Sequence, residues 1–419
     1  MGQHHKIIII GGGTGGITVA ARLLRKDSKL DIGIIEPSSK HYYQPAWTLV
    51  GAGTYDLEDT IRDEKDFIPK GATWIQDKVT SVDPDKNSLT TAEKGTITYD
   101  YLVVAAGIQY NWDAIPGLKE ALGKYGVTSN YEKDMTTYTW ELLQKTKSGN
   151  ALFTQPATPI KCGGAPQKIM YLAEDYWRKQ GVRENINVIF ATPGTVIFGV
   201  KNFADALNKI IKNRNILTRY YHKLVEINPE KKEAIYEFTK PDVKAVLTDE
   251  DRKLGIRLEG DNKFVIPFAM LHTPPPQSAP DFIKNSKLAK PDDPYGWVDV
   301  DKHTLQHVRY ANVYSLGDAS STPNAKTGAA VRKQAPVLVE NLLDTMKNAP
   351  LKDNPVYDGY GSCPLVTRYG RMVLAEFDYD NKPTPSFPFN LAKERYSMWL
   401  MKKYFLPWLY WNRMLKGKA

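Results

Sequence analysis

Short unbroken apolar runs recur along this chain, at 7–10, 32–35, 101–106 and 188–191. Runs of that length, bounded by polar or glycine-rich turns, predict buried strands. Between them, 17–25 carries Ile17, Ala20 and Ala21, and 167–178 carries Ile169, Met170, Leu172 and Ala173, both at helical spacing. Strands alternating with helices predict an α/β chain. No run approaches the roughly 18 apolar residues of a membrane-crossing helix. The polar lead before residue 7 has neither a secretory nor a transit-like pattern, which predicts a prokaryotic chain or a mature form.

The turn after the first run is Gly11-Gly12-Gly13-Thr14-Gly15-Gly16, in which Gly11, Gly13 and Gly16 have the spacing G-x-G-x-x-G. The first glycine permits the turn, the second lets a pyrophosphate approach the backbone, and the third lets helix and strand pack closely. Free N–H groups at the helix start favour the phosphates. The run at 32–35 ends in Glu36, where an acid hydrogen-bonds a ribose 2′-hydroxyl and repels a 2′-phosphate. A ligand-free glycine turn would leave that acid unexplained.

Two further predicted strands end in Ala106-Gly107 and in Gly317-Asp318. These endings resemble those of two-dinucleotide-binding flavoproteins, in which the aspartate meets the ribityl and pyrophosphate region of FAD. The resemblance implies FAD at the first glycine turn, held by Gly11, Gly13, Thr14, Gly15, Gly16, Glu36, Gln44, Ala106, Gly107, Gly317 and Asp318. The strand and turn at 187–195 occupy the place of a second, NAD(P)H-binding unit. Their turn, Ala191-Thr192-Pro193-Gly194, has one glycine, and Pro193 removes an N–H donor. The fold is expected there without a nicotinamide cradle.

Charge narrows the partners. The net charge is +9, and six of those nine charges fall in the last 29 residues, which hold seven Lys or Arg against Glu394. The remainder is close to balanced, so no nucleic-acid footprint is expected. The same tail interleaves Tyr396, Trp399, Tyr404, Phe405, Trp408, Tyr410 and Trp411 with Lys402 and Lys403. Aromatic rings flanked by basic charge suit the headgroup level of a membrane. Pro407 predicts two short helical pieces lying in that interface, with a docking helix or dimer contact as the alternative. None of the seven histidines stands at metal-ligand spacing near acids, so no metal is expected.

The chain has two cysteines, too few for a disulfide scaffold or a zinc site. Cys162 precedes Gly163-Gly164-Ala165-Pro166 and the predicted helix, with Lys161 and Lys168 nearby. That placement should lower its pKa. Cys363 lies in Gly361-Ser362-Cys363-Pro364, which predicts an exposed loop. Two inert buried thiols are the plain alternative.

These two strings, with the run His41-Tyr42-Tyr43-Gln44-Pro45-Ala46-Trp47, the run Gly296-Trp297-Val298-Asp299 and the Gly317-Asp318 ending, resemble the sulfide:quinone oxidoreductases, in the branch that includes the mitochondrial enzyme. The resemblance covers the chain nearly end to end. It implies a redox disulfide or trisulfide between Cys162 and Cys363 beside the flavin. Hydrogen sulfide attacks Cys363, and the freed Cys162 thiolate passes electrons on. Lys168 and Lys326 are the further catalytic candidates, Lys326 at the flavin N1 edge. His307 is a candidate proton relay by family position. Ubiquinone or menaquinone would reoxidise the flavin, and glutathione, sulfite or sulfide would accept the sulfur. No third cysteine exists to tether the cofactor, so FAD is expected to be noncovalent.

The expected architecture is α/β: a Rossmann-like FAD domain from 1–115 and 300–345, a second Rossmann-like domain at 116–299, and a C-terminal quinone and membrane module at 346–419. The chain would sit peripherally or monotopically on a respiratory membrane, either a prokaryotic plasma membrane or the mitochondrial inner membrane, and a homo-oligomer is left open. The rivals are a type-2 NADH:quinone oxidoreductase and a non-enzymatic flavin-binding interaction protein.

Overall fold

The computed structural model describes residues 3–323, 326–351 and 355–419. Strand β1 (Gln3–Ile10) leads through the glycine turn into helix α1 (Thr14–Lys26), followed by β2 (Ile32–Ile35), β3 (Ala72–Ile75) and β4 (Gly95–Val104). They form a parallel sheet in the order β3-β2-β1-β4. The first half of β4 also pairs with an antiparallel strand, Ser88–Thr91, which carries Val79–Asp83 beyond it. Side chains alternate across a strand, so the isoleucines of β1 divide between two cores. Ile7 and Ile9 pack on the α1 side, while Ile8 and Ile10 pack on the opposite layer with Ala279, Ile283 and Trp297. Burial on both faces explains the unbroken apolar run.

The chain then leaves this sheet to build a second one. Its elements include β5 (Gly149–Thr154), helix α2 (Ala165–Lys179), β6 (Ile186–Ala191) and β7 (Met270–His272). The order is Val127–Thr128, β7, β5, β6, Leu217–Arg219, with every pairing parallel. A four-stranded antiparallel sheet from within 222–267 packs beside it. The turn after β6 folds back onto α2. Ile197, Val200 and Phe203 are buried there, and Gln167 Nε2 donates to the Ile197 carbonyl at 2.6 Å.

The return to the first unit begins well before residue 300. Gln277–Ser278 pairs with Gln109–Tyr110, and Ala279, Ile283, Leu288 and Trp297 are buried in the first unit's core. Nothing in 277–299 marks that allegiance locally; only the surface it covers does. Strand β8 (Val313–Ser315) then pairs in parallel with the second half of β4, and helix α3 (Gly328–Met346) packs against α1. Helix α3 runs through Pro336, with Arg332 half-buried and Lys333 exposed.

The C-terminal part opens with a hairpin, β9 (Gly361–Arg368) and β10 (Arg371–Phe377), laid on α2. The tail differs from expectation. Residues 396–414 form one continuous helical run, with wider i→i+5 turns over Met401–Phe405 and Tyr410–Met414. These wide turns accommodate the missing N–H of Pro407, so the proline does not split the run. Among the described residues, no helix is long and apolar enough to cross a membrane.

Candidate functional site

Three stretches far apart in sequence meet between the two sheets: the glycine turn with the segment after β2, the loop ahead of α2, and the β9 hairpin. Gly11 has φ +103°, and its N–H donates to the Ile35 carbonyl at 2.9 Å. A Cβ there would lie 2.5 Å from the Ala105 carbonyl oxygen, and one on Gly16 would run into the Gly11 carbonyl. Both positions therefore require glycine. Gly13 instead faces open space, and no side chain caps the α1 N-terminus. Glu36 accepts from the Gly12 and Ser38 N–H groups at 2.8 Å each, and burial raises its pKa.

Gly107 (φ +73°) and Gly317 (φ +68°) turn the ends of β4 and β8, and Ala106 is half-buried beside them. The Gly317 N–H donates to Gln334 Oε1 at 2.9 Å. Asp318 stands within electrostatic reach of Lys161, Tyr110 and Lys326. Lys326 Nζ donates to the Asp318 and Ser320 carbonyls at 2.7 and 2.9 Å and lies 3.7 Å over the Trp297 ring. Burial lowers its pKa to about 8, so it is mostly cationic at neutral pH.

The cysteine loop is held on several sides. Gln277 Oε1 accepts from the Lys161 N–H, Tyr131 donates to the Lys161 carbonyl, and the Cys162 N–H donates to the Lys326 carbonyl. Lys161 Nζ donates to Gln44 Oε1. Cys162 has φ +52°, a conformation costly for a side chain with a Cβ and found where a loop is over-determined. Helix α2 starts three residues on, with Pro166 in its first turn.

Cys363 is not in an exposed loop. It is a buried residue of β9, 4% exposed, paired with Ala375 of β10. Gly361 and Pro364 were the turn signals, but the hairpin turn falls later, at Gly370 (φ +76°). The two Sγ atoms lie 3.7 Å apart, and Lys168 Nζ donates to Cys162 Sγ at 2.9 Å. The Cys363 S–H directed at Cys162 and the Lys168 cation hold Cys162 well below the usual thiol range, against the opposing effect of burial. The same sulfur–sulfur contact, with burial, pushes Cys363 well above it. Burial opposes the charge on Lys168, yet the neighbouring sulfurs keep its pKa above the ordinary lysine value.

Lys402 is a site residue that sequence reasoning missed. It reads as one more basic flank of the aromatic tail, yet it is 4% exposed and donates to the Pro45 carbonyl at 2.7 Å. Burial, then Lys168, lowers its pKa to about 7, while Cys162 and Cys363 oppose that shift. No local pattern distinguishes it from Lys403. His307 moves the other way. Its ring nitrogens meet the Leu288 carbonyl and the Arg309 N–H, and burial lowers its pKa to about 4, so it is a structural residue of the first unit.

A flavin dinucleotide fits these residues. The cradle at Gly13 is open, the helix N-terminus is uncapped, and Gln277 Nε2 is buried beside the cysteine loop with no partner among the described residues.

Residues 5–140 match the family described as pyridine nucleotide-disulphide oxidoreductase. The mitochondrial sulfide:quinone oxidoreductase of Mus musculus is 47% identical over 99% of this chain and 87% of its own length. The crystal structure of the sulfide:quinone oxidoreductase from Aquifex aeolicus superposes with a TM-score of 0.78, at 20% identity, over 99% of this chain and 92% of that one, a likeness of fold. A type II NADH:quinone oxidoreductase of Mycobacterium tuberculosis matches only 27% of this chain, at 31% identity. Identity at that level over nearly the whole length places this chain in the sulfide:quinone oxidoreductase family.

Proposed function

We propose that this flavoenzyme oxidises hydrogen sulfide at the Cys162–Cys363 pair and delivers the electrons to a quinone, with noncovalent FAD as the carrier. The observation that carries the reading is the polarised pair: two sulfurs 3.7 Å apart, one held toward thiolate by the other's S–H and by a lysine at 2.9 Å. FAD supplies a two-electron relay. It would be held by the Gly11–Gly16 turn, Glu36, Gln44, Ala106, Gly107, Gly317 and Asp318, with Lys326 balancing negative charge at its edge.

The chain's own residues divide the oxidation into easier steps. Hydrosulfide attacks Cys363 of the oxidised pair, forming a persulfide there as the bond to Cys162 breaks. The electron pair leaves on Cys162, and the Lys168 cation makes that sulfur the better leaving group. The terminal persulfide sulfur then passes to a small nucleophile such as glutathione, sulfite or sulfide. With a thiol acceptor, one hydrogen sulfide, one thiol and one quinone become one persulfide and one quinol. Buried Lys402, close to neutrality in its titration, can hold or release a proton beside the sulfurs.

The tail supports a membrane location. Tyr404, Phe405 and Trp408 are exposed, and an open apolar groove lined by Phe387, Met398, Leu400 and Met401 lies alongside. Such a surface suits the interface of a quinone-bearing respiratory membrane. The test is anaerobic titration of the purified holoenzyme with sulfide. The visible band of oxidised flavin should bleach and return on adding a quinone analogue. A band that persists under sulfide, or bleaches with NADH instead, would reject the reading.

A further inference from the structure

The far end of the tail turns inward. Tyr410, Trp411, Met414 and Leu415 are each at most 6% exposed and pack on Ile17, Tyr43 and Ala46, beside the glycine turn. Within that contact runs a buried polar chain. Tyr410 Oη bridges Thr14 Oγ1 at 2.9 Å and His41 Nε2 at 2.6 Å, and His41 Nδ1 meets Glu64 Oε2 at 2.9 Å. Since a carboxylate only accepts, His41 donates at Nδ1. Thr14 opens α1, so one hydroxyl from the tail touches the nucleotide turn directly and reaches Glu64 through a single imidazole.

Glu64 is 1% exposed, and its other oxygen, Oε1, is buried with no partner among the described residues. It packs on Gly12, as Glu36 does, and the two carboxylates are close enough to repel each other. A buried carboxylate oxygen without a donor is costly unless a ligand supplies one. One buried carboxylate oxygen lacking a donor, beside a second carboxylate at a dinucleotide turn, suits a vicinal diol, which brings O–H groups and no negative charge.

We propose that Glu64 is a second acidic contact for the ribose of bound FAD, and that Tyr410 is a positioning residue that holds both Glu64, through His41, and Thr14, so that the tail end and the dinucleotide site stabilise each other. This rests on the FAD reading above and goes beyond it. By linkage, whatever the docked tail adds to FAD affinity, FAD adds to tail docking. The last helical turns, beyond the exposed aromatics, thus belong to the cofactor site.

The test uses the holoenzyme and Tyr410→Phe, which removes one oxygen and keeps the ring. Diluted holoenzyme is followed by the fluorescence of released flavin, and trypsin cleavage at the exposed Arg413 and Lys416 is timed with and without added FAD. Loss of one buried hydrogen-bonding group predicts FAD release about tenfold faster. FAD should slow tail cleavage in the wild type by a similar factor and much less in the variant. Glu64→Gln, which leaves the tail surface intact, should also weaken FAD retention and serves if Tyr410→Phe does not fold. Unchanged retention in both variants, or cleavage that ignores FAD, would overturn the coupling. A purified wild type that carries and binds no flavin would instead overturn the FAD reading itself.

Discussion

Lys168 Nζ donates to Cys162 Sγ at 2.9 Å from inside the first turns of α2, so the helix that starts beside the cysteine also delivers its counter-charge. Cys363, 201 residues away, meets the same sulfur at 3.7 Å and keeps its own proton where Cys162 is held toward thiolate. The pair is therefore asymmetric before any substrate arrives.

Cys162→Ser and Cys363→Ser should each abolish flavin bleaching by sulfide while leaving flavin content intact. A fall of at least about a hundredfold in the anaerobic reduction rate is expected when a nucleophile or its partner is removed. Rapid bleaching in either variant would support the idle-thiol alternative.

Lys168→Met should raise the pKa of Cys162, because a cation this close stabilises the thiolate. The expected displacement is upward, toward the ordinary thiol range. It would be read from the pH dependence of iodoacetamide labelling of Cys162 in the reduced protein, with Lys168→Arg restoring part of the difference.

Gly164→Ala tests the packing around the sulfurs. A Cβ there would stand 2.5 Å from both Cys363 Sγ and Leu365 Cδ2. Its φ is not in the left-handed region, so the effect is steric rather than backbone strain. Overpacking of this kind costs about 1–3 kcal/mol. Thermal melting should register it, together with slower oxidation of the pair.

Lys402 gives a pH signature to stability. Its folded pKa is depressed to about 7 from an ordinary 10.5, so between those values the unfolded chain binds the extra proton. Stability from this group therefore rises with pH across that window and is flat below it. Lys402→Met removes the dependence. Its melting-temperature advantage over the wild type should be largest near pH 6 and shrink by pH 10; a constant offset would contradict the burial.

Phe405→Ser with Trp408→Ser should release the protein from liposomes. Each exposed ring forfeits about 1.5–3 kcal/mol of apolar transfer, so co-sedimentation should fall by tenfold or more. Unchanged co-sedimentation would point to a protein contact at this surface.

The glycine turn and the acid after β2 were readable because the chemistry there is local: a tight turn, a helix start and an acid at fixed spacing lie within about forty residues. Each string bearing a cysteine was also conspicuous, by its glycines and prolines. Those same residues misled at Cys363, where Gly361 and Pro364 stand within a strand rather than at its turn. Pro407 misled similarly, because a helix can widen around a proline when its neighbours hold it in place.

The order of residues by itself thus determined a dinucleotide turn, two distinctive sulfurs and an amphipathic aromatic tail, since each depends on neighbours a few positions away. Tertiary structure alone decided that the sulfurs face each other, that Lys402 turns inward while Lys403 does not, and that Tyr410 closes on Thr14. Those outcomes depend on which buried surfaces meet across hundreds of residues. Burial and pairing are set by packing between elements, a quantity that no short window of sequence contains.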